Sequence, residues 1–509
     1  MKAGKKLYLI GIDSAPLWLI EKLHKKYKMA GYERFMESGV LKEMESTLPP
    51  VTAAAWPTIY TGLEPSGHGV MDFLCIDANY SKQLIYYNSS KHPPFWDKLA
   101  EKGVRSLIVT PAMGLSRSES KNVDMITGWP LEPRYSSKET ERAAKKFGFE
   151  GEPNIGIELE KGMHVEEASK AYLKSILARS EMSKYLIEKK EYDLVFVCFT
   201  ETDRIQHYAL SLPGWERSVA PLYKGISDFV EWVADYSKGR GEDAAIMIVS
   251  DHGAQPITNK FLINAWLVQN GFAELKSSSA KSTQKAQKGI ATSVKRHIRD
   301  RVMKLKIRRM LYNTMPGSLK KIAERLVDEV PDEQYVGEDY RKIYETDFEM
   351  YDTQAFAAIS FGTIGMIWLN DDRFSEQGIG LIERRRVTRE IIEGLKKIKS
   401  AEGDRLVINT YDGHEYYGKS GEFIVPDILF ELKENYINDF TYFSDSKILM
   451  APEINRKGDH SRFGIFGVIG GGGKMSERII GKKKVVVGNI APTILEYFGD
   501  KSMRKRSLL

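Results

Sequence analysis

The sequence predicts an α/β protein built on a mostly parallel central sheet with helices on both faces. Residues 7–12 and 244–249 are continuously apolar, and residues 192–199 are apolar except for Asp193, as strands of buried parallel sheets are. Helical patterns at residues 16–28 and 165–189 lie between the first two of these strands. An acidic residue closely follows each strand. Because open α/β sheets bind ligands at the carboxyl ends of their strands, this pattern predicts a polar site at one sheet edge.

The first strand and the segment after it supply an acid and a hydroxyl. Asp13 directly follows residues 7–12, and Thr52 precedes a short helix that begins near Ala53 to Ala55. Unpaired N–H groups at a helix N-terminus favour an incoming anion, so this position suits a nucleophile. A threonine hydroxyl is inert at its own pKa and needs a base or a metal ion to react.

The second and third strands end in acid–histidine pairs. Asp203 and His207 are four residues apart and share one face if the segment is helical. Asp251 and His252 follow the third strand, and His460 lies in a predicted polar turn. Mixed carboxylate and imidazole donors favour zinc or manganese over magnesium or calcium. Two such ions could hold both the attacking and the leaving oxygen of a phosphoryl transfer.

Composition excludes several other classes of protein. The chain has 509 residues, 42% of them hydrophobic and 28% charged, which is typical of globular proteins. A net charge of +6 is too small for this length to indicate binding to nucleic-acid duplexes. Cys75 and Cys198 are the two cysteines, so no disulfide framework is expected. No signal peptide or apolar run of membrane-spanning length is evident, and we expect a cytoplasmic protein.

Several other segments have less specific patterns. Residues 112–165, rich in Gly, Pro and Ser, are expected to be loops over the active face. Residues 294–311 have apolar positions at helical spacing among many Lys and Arg. That pattern favours a helix of an inserted cap with a solvated basic face, and the alternative is peripheral contact with an anionic membrane. Residues 485–487 and 491–495 predict a last strand and helix.

These motifs, taken together, resemble the alkaline phosphatase superfamily, in particular type I phosphodiesterases and nucleotide pyrophosphatases. The matching segments cover almost the whole chain in the order of that family. They are Gly11 to Asp13, Val51 to Ala53, Thr61 to Leu63, Pro65 to Gly69, Asp203 to His207, Asp251 to Gly253, Gly458 to His460 and Ile490 to Thr493.

The resemblance implies an alkaline-phosphatase-like fold, a site for two divalent metal ions and a small-molecule phosphate ester as substrate. One ion, Zn²⁺ or Mn²⁺, would be held by Asp13, Thr52, Asp251 and His252, and the other by Asp203, His207 and His460. Thr52 would form a covalent phospho-threonine that water then hydrolyses. It also implies a core of residues 1–255 and 421–509, interrupted by a cap of residues 256–420.

Two positions are interpreted separately from the metal donors. Nucleotide pyrophosphatases carry an Asn where this chain has Phe73, next to Asp72, so a preference for nucleotides is not implied. His68 lies in a helix-ending turn, and we expect it to be structural.

Alternatives to this function remain open from the sequence. A phosphomonoesterase or a phosphomutase of the same superfamily would use the same residues, although mutases usually have Ser as nucleophile. A non-catalytic metal-dependent anion-binding protein is a further alternative, which a retained nucleophile disfavours. Sulfatase activity is not expected, because sulfatases have Cys or Ser at the position that Thr52 occupies here.

The distribution of basic residues favours diesters over monoesters. No Arg or Lys lies between Lys42 and Lys82, and Arg204 follows Asp203 on what should be a different helix face. A monoester dianion needs additional cationic donors, so we expect diesters to be preferred in kcat/KM by about 10-fold, or about 1.4 kcal/mol.

Overall fold

The computed structural model describes residues 5–276 and 348–509, apart from 81, 86, 115–117, 131, 161, 360–361, 377, 419–422, 441–446, 453–455 and 472–473. The predicted basic helix at 294–311 lies outside the described residues. No helix in the described ranges combines the length and apolar character that a membrane span needs.

The described strands and helices alternate along most of the chain. The strands, β1 to β18 in order, are Lys6–Ile12, Val40–Glu45, Leu74–Ile76, Lys82–Leu84, Ser106–Val109, Val123–Ile126, Leu194–Phe199, Ala244–Val249, Gly253–Pro256, Asn259–Leu262, Ala355–Phe356, Ile364–Leu369, Val407–Asp412, Ile428–Leu432, Tyr436–Asp439, Leu449–Met450, Gly458–Ser461 and Phe463–Gly470. The α-helices, α1 to α15, are Leu17–Tyr27, Ala30–Ser38, Thr52–Thr61, Pro65–His68, Phe95–Ala100, Lys138–Phe147, Gly156–Glu160, Val165–Lys189, Glu201–Ala209, Glu216–Gly239, Ile263–Gln269, Leu381–Leu395, Gly413–Tyr417, Lys474–Ile480 and Ile490–Tyr497.

Seven strands form the central sheet in the order β2-β18-β8-β1-β7-β5-β6. The run β8-β1-β7-β5-β6 is parallel throughout, and β18 is antiparallel to both its neighbours. The three apolar strands predicted from the sequence are β1, β7 and β8, which lie side by side in its middle. Every residue of β7 and β8 is buried, as the continuous apolar runs require.

Helices cover both faces of this sheet. Tyr8 and Ile10 of β1 belong to one apolar cluster, together with side chains of α1, α2, α8 and α10. Leu7 and Leu9 point the other way, into a cluster with α3 and the helix Ile490–Tyr497. The predicted fold class, a mostly parallel α/β sheet with helices on both faces, is confirmed.

A second set of strands builds a smaller unit beside the core. Its four-stranded sheet has the order β11-β12-β14-β13, and β15-β10-β16 form a three-stranded sheet. The helix Leu381–Leu395 packs Val387, Ile391 and Leu395 into the apolar cluster of this unit. Strands β14 to β16 lie within 421–509, which the sequence analysis assigns to the core. The predicted division into a core and a cap stays a prediction. The pairing of β14 to β16 with strands of the smaller unit favours an end of the cap near residue 450 rather than 420.

The sequence predicts loops for residues 112–165, but the structure also has regular elements there. They include β6, which extends the central sheet, and the helices α6 and α7. Helix α6 begins with a capping box: the Ser137 hydroxyl accepts from the Thr140 N–H, and the Thr140 hydroxyl accepts from the Ser137 N–H. This helix is mostly charged and buries only Thr140, Ala143 and Ala144, so low apolar content hides it in the sequence.

Two short predicted features also differ from the structure. Residues 458–461 are not a turn but the strand β17, which pairs with β9 so that His460 lies opposite Ala254. Gly458 allows β17 to lie close against α9, because a Cβ there would lie 2.4 Å from the carbonyl oxygen of Gln206. Of the predicted strand at residues 485–487, Val486 forms a single parallel bridge with Glu45, and Val487 begins a 3-10 turn, Val487–Asn489, that leads into the predicted helix.

Candidate functional site

The candidate site lies at the carboxyl ends of β8, β1 and β7. Asp13 follows β1, Asp251 and His252 follow β8, and α9, which carries Asp203 and His207, begins directly after β7. Because these strands are parallel neighbours, their ends meet at one edge of the sheet. His460 joins them through the pairing of β17 with β9. The structure thus brings together residues that lie far apart in the chain.

Thr52 is the first residue of α3 and is buried, with 3% of its surface exposed. Its Oγ1 lies 3.2 Å from His252 Nε2. One turn further along α3, the indole N–H of Trp56 donates to Asp13 Oδ2 at 3.2 Å. Helix α3 therefore presents both its first hydroxyl and a hydrogen-bond donor to the same group of acids and histidines.

Two overlapping groups of side chains could each hold a metal ion. The first donor group is Asp203, His207 and His460, and the second is Asp13, Asp203 and His252. Within each group the possible ligand atoms all lie within 4.8 Å of one another. Asp203 belongs to both groups, whereas the resemblance assigned it to one metal. Asp203 would therefore be available to both ions if two were bound.

The second donor group has two further neighbours, both predicted from the sequence. Asp251 Oδ2 lies 3.2 Å from His252 Nε2, and the Ser14 N–H donates to Asp251 Oδ1. Thr52 is the other neighbour, through its contact with the same imidazole nitrogen. All seven residues proposed from the sequence are therefore in one cluster.

Backbone carbonyls indicate which histidine nitrogens are available to a metal. His207 Nδ1 lies 3.0 Å from the Gly458 oxygen, and His252 Nδ1 lies 3.0 Å from the Gly253 oxygen. A carbonyl oxygen can only accept, so each Nδ1 carries the proton and Nε2 presents a lone pair. That arrangement is the usual one for a metal-bound imidazole.

The carboxylates of the cluster have oxygens that no protein group satisfies. Within the described ranges, Asp13 Oδ1, Asp203 Oδ1 and Asp251 Oδ2 are buried and accept no hydrogen bond. Asp203 Oδ1 instead faces His207 Nε2 and His460 Nε2, each at 3.3 Å. Because a nitrogen lone pair repels a carboxylate oxygen, two imidazoles that face one buried oxygen need either protonated rings or a cation between them. The donor set therefore fits divalent cations.

The electrostatics of the three acids lead to the same conclusion. Burial, with the nearby Asp251 and Asp203 charges, raises the pKa of Asp13 well above its usual value. Burial likewise raises the pKa of Asp251 well above its usual range. For Asp203, burial opposes ionisation, but His207 and His460 hold its pKa well below the usual value. Three carboxylates this close are unfavourable without compensating positive charge.

Sequence reasoning missed one cation beside the cluster. Arg204 was expected on a different helix face from Asp203, yet its Nη1 lies 3.6 Å from Asp203 Oδ2. The long side chain is held there by Glu152, which accepts from Nε at 2.9 Å, and by the ring of Trp129. Glu152 and Trp129 both come from the stretch interpreted as loops, where the sequence pattern gave no sign of their role. One basis for the expected diester preference is therefore wrong.

Phe73, Asp72 and His68, which the sequence analysis treated apart from the metal donors, lie in two different environments. Phe73 packs edge-on against Trp129, with ring centroids 5.8 Å apart, and burial raises the pKa of the adjacent Asp72 to about 7. His68 is buried and bonded within its own segment: Nδ1 accepts from the Val70 N–H, and Nε2 lies 2.9 Å from Thr58 Oγ1. No contact places His68 among the donor groups of the described residues.

Comparisons with known proteins agree with this geometry. The family model for type I phosphodiesterase/nucleotide pyrophosphatase matches residues 7–373. Among solved structures, phosphonoacetate hydrolase from Sinorhizobium meliloti 1021 is similar in complex with phosphonoformate (TM-score 0.52, 12% identity) and with phosphonoacetate (TM-score 0.52, 13% identity). Each alignment covers 92% of this chain and 90% of that one, and at this identity the likeness concerns the fold. No curated protein sequence matches the chain.

Proposed function

The chain belongs to the type I phosphodiesterase/nucleotide pyrophosphatase family, and from this premise we propose that it hydrolyses phosphoric esters through a phosphorylated Thr52 at a site for two divalent metal ions. The observation that carries the proposal is the position of Thr52. Its buried hydroxyl lies at the N-terminus of α3 and 3.2 Å from His252, beside both donor groups. A closed structural metal site would not need such a hydroxyl.

The two donor groups would hold the two ions. Asp203, His207 and His460 would bind one, and Asp13, Asp251, His252 and Thr52 the other, with Asp203 between them. Nitrogen and oxygen donors in this mixture favour Zn²⁺, with Mn²⁺ as the alternative. Such ions would neutralise negative charge on the transferring phosphoryl group and favour deprotonation of hydroxyl groups.

The chain's own residues would position the phosphoryl group and divide its transfer to water into two steps. Thr52 Oγ1 forms a bond to phosphorus while the bond from phosphorus to the leaving oxygen breaks, so that the proton lost by the hydroxyl ends on the leaving alcohol. The Ala54 and Ala55 N–H groups donate to the Val51 carbonyl. Among the described residues no partner is found for the N–H groups of Thr52 and Ala53, which can donate to the phosphoryl oxygens. Water then breaks the bond between phosphorus and Thr52 and restores the hydroxyl. Trp56 holds Asp13 in place during both steps.

Removing the Thr52 hydroxyl tests this proposal. Thr52→Ala deletes one oxygen and no carboxylate or imidazole, so turnover of a diester should fall by roughly 10⁴-fold or more. Fold and metal content should remain, as measured by circular dichroism and elemental analysis. Thr52→Ser, which keeps a hydroxyl, is the matched control and should retain far more activity.

The metal requirement is tested separately. Chelation should inactivate the wild type, zinc or manganese should restore it, and His207→Ala should reduce the bound metal from two ions towards one. Full turnover by metal-free protein would contradict the two-metal site even if Thr52 proved essential.

The cellular location and a possible membrane contact are two further proposals, based on the sequence. We propose a cytoplasmic protein, and the basic segment 294–311 supports peripheral contact with anionic lipid at roughly 1 kcal/mol per basic residue at low salt. Sedimentation with phosphatidylserine vesicles tests it: the protein should pellet at low salt, and no binding there would leave the cap-helix interpretation.

A further inference from the structure

The guanidinium of Arg204 is fixed on three sides next to the candidate metal site. Glu152 Oε1 accepts from Nε at 2.9 Å, the Trp129 ring lies against the guanidinium with its centroid 4.0 Å from Cζ, and Asp203 Oδ2 lies 3.6 Å from Nη1. Glu152 itself is buried and also accepts from the Thr200 hydroxyl. The planar group therefore has one orientation.

That orientation leaves donors of Arg204 available. A guanidinium has five N–H bonds, and in the described part of the chain the one hydrogen bond found for Arg204 uses Nε. In the described part of the chain, neither Nη atom of Arg204 is both buried and without a hydrogen-bond partner. The side chain as a whole is 26% exposed. The Nη atoms therefore face space that a ligand or solvent can enter.

This space adjoins the proposed reaction site. Asp203 Oδ1 faces His207 and His460, while Asp203 Oδ2 is the oxygen nearest Arg204. The guanidinium thus stands beside the shared carboxylate of the two donor groups. Phe73 packs edge-on against Trp129, the ring on which the guanidinium lies.

A structural ion pair alone does not explain this arrangement. A lysine could neutralise Glu152, but it would not stack on the Trp129 ring or present a second pair of N–H donors. Guanidinium groups recognise the paired oxygens of phosphate and carboxylate groups through those donors.

We propose that Arg204, held by Glu152 and Trp129, forms a subsite for a second negative charge on the substrate. The inference rests on the proposed function and narrows its substrate class to phosphoric esters that carry at least two negative charges. The second charge belongs either to the scissile phosphoryl group, as in a monoester, or to an acidic ester arm of a diester.

Three esters with the same leaving group test the subsite. They are para-nitrophenyl phosphate, its methyl diester and its carboxyethyl diester, assayed with the metal-loaded wild type and with Arg204→Met. Loss of one charge-assisted hydrogen bond should lower kcat/KM by about 10- to 100-fold for a dianionic ester, and far less for the methyl diester. A loss on the monoester alone assigns the second charge to the scissile group, and a loss on the carboxyethyl ester alone assigns it to the arm.

Binding measured without turnover separates this inference from the proposed function. Calorimetry of the same three esters with metal-loaded Thr52→Ala, with and without Arg204→Met, should show weaker binding of the dianionic esters only. If the wild type hydrolyses none of the esters, the proposed function fails, and the subsite is still decided by this binding.

A matched control removes the general effect of charge. The guanidinium of Arg456 is bonded to Asp459 through Nε and Nη2, so Arg456→Met should change all three esters by a similar factor. Metal content is measured for both variants, because Arg204 lies against Asp203. Equal losses on all three esters with Arg204→Met, in turnover and in binding, would overturn the subsite.

Discussion

Asp203 is the side chain on which both donor groups depend. One of its oxygens faces two imidazole nitrogens, and its other oxygen faces Arg204. The acids, His252 and Thr52 could be predicted from the sequence, because each follows a strand or lies at the start of a helix. His207 was predicted from its spacing of four residues from Asp203, and the role of His460 from the resemblance of its motif. The direction of the Arg204 side chain could not be predicted. It depends on Glu152 and Trp129, which are distant in sequence and come together only in the folded chain.

His68 allows a test of stability against pH that does not involve the donor groups. Burial, with the nearby His92, lowers its pKa from 6.5 to about 3. Because Nδ1 accepts from Val70 and Nε2 faces the Thr58 hydroxyl, the folded protein holds the neutral imidazole. Between about pH 6.5 and 3 the unfolded chain binds the proton and the folded chain does not, so this term reduces stability as pH falls.

The expected effect is large enough to measure. At pH 4.5, about two units below the unfolded pKa, the loss should be roughly 3 kcal/mol relative to pH 7. His68→Gln cannot titrate, so the difference in unfolding free energy between the variant and the wild type should shift by that amount in favour of the variant. Denaturant unfolding at both pH values measures it, and a constant difference would show that His68 is protonated in the folded state.

Among the elements, the short helix Gly413–Tyr417 links the smaller unit to the segment before the nucleophile. The Leu48 N–H donates to the Tyr416 hydroxyl at 3.0 Å, and the Tyr417 hydroxyl donates to the Leu48 carbonyl. Leu48 precedes Thr52 by four residues. Apolar runs predicted the central strands well. Strands β6 and β17 were missed because each has only four residues, and α6 was missed because it has few apolar side chains.

Tyr417→Phe should loosen this contact. The change removes the donor to a buried carbonyl and should lower the free energy of unfolding by about 1–3 kcal/mol. Because Leu48 supports the segment that carries Thr52, kcat should fall more than KM rises. Tyr236→Phe, whose hydroxyl lies 3.5 Å from the Ile187 oxygen, is the control. A lower stability with unchanged kcat would mean that the contact supports the fold but does not position the nucleophile.

Across the whole molecule, the core and the smaller unit are joined close to the candidate site. Arg462, two residues after His460, bonds to Glu45 at the end of β2 and to Tyr411 and Glu431 of the second sheet. The sequence predicted an insertion after residue 255, but not which later strands return to it. Pairing between β10 and β15 or β12 and β14 joins segments far apart in sequence, and local patterns do not determine such partners.

We propose that the phosphoryl group is transferred first to Thr52, and trapping the phosphorylated Thr52 during turnover tests this directly. Metal-loaded enzyme is mixed with a para-nitrophenyl ester, quenched in acid within the first turnovers, digested and examined by mass spectrometry. We expect phosphorylation of the peptide that contains Thr52, located on that residue and absent from Thr52→Ala. Rapid turnover with no phosphorylated Thr52 at any quench time, together with an active Thr52→Ala protein, would contradict it.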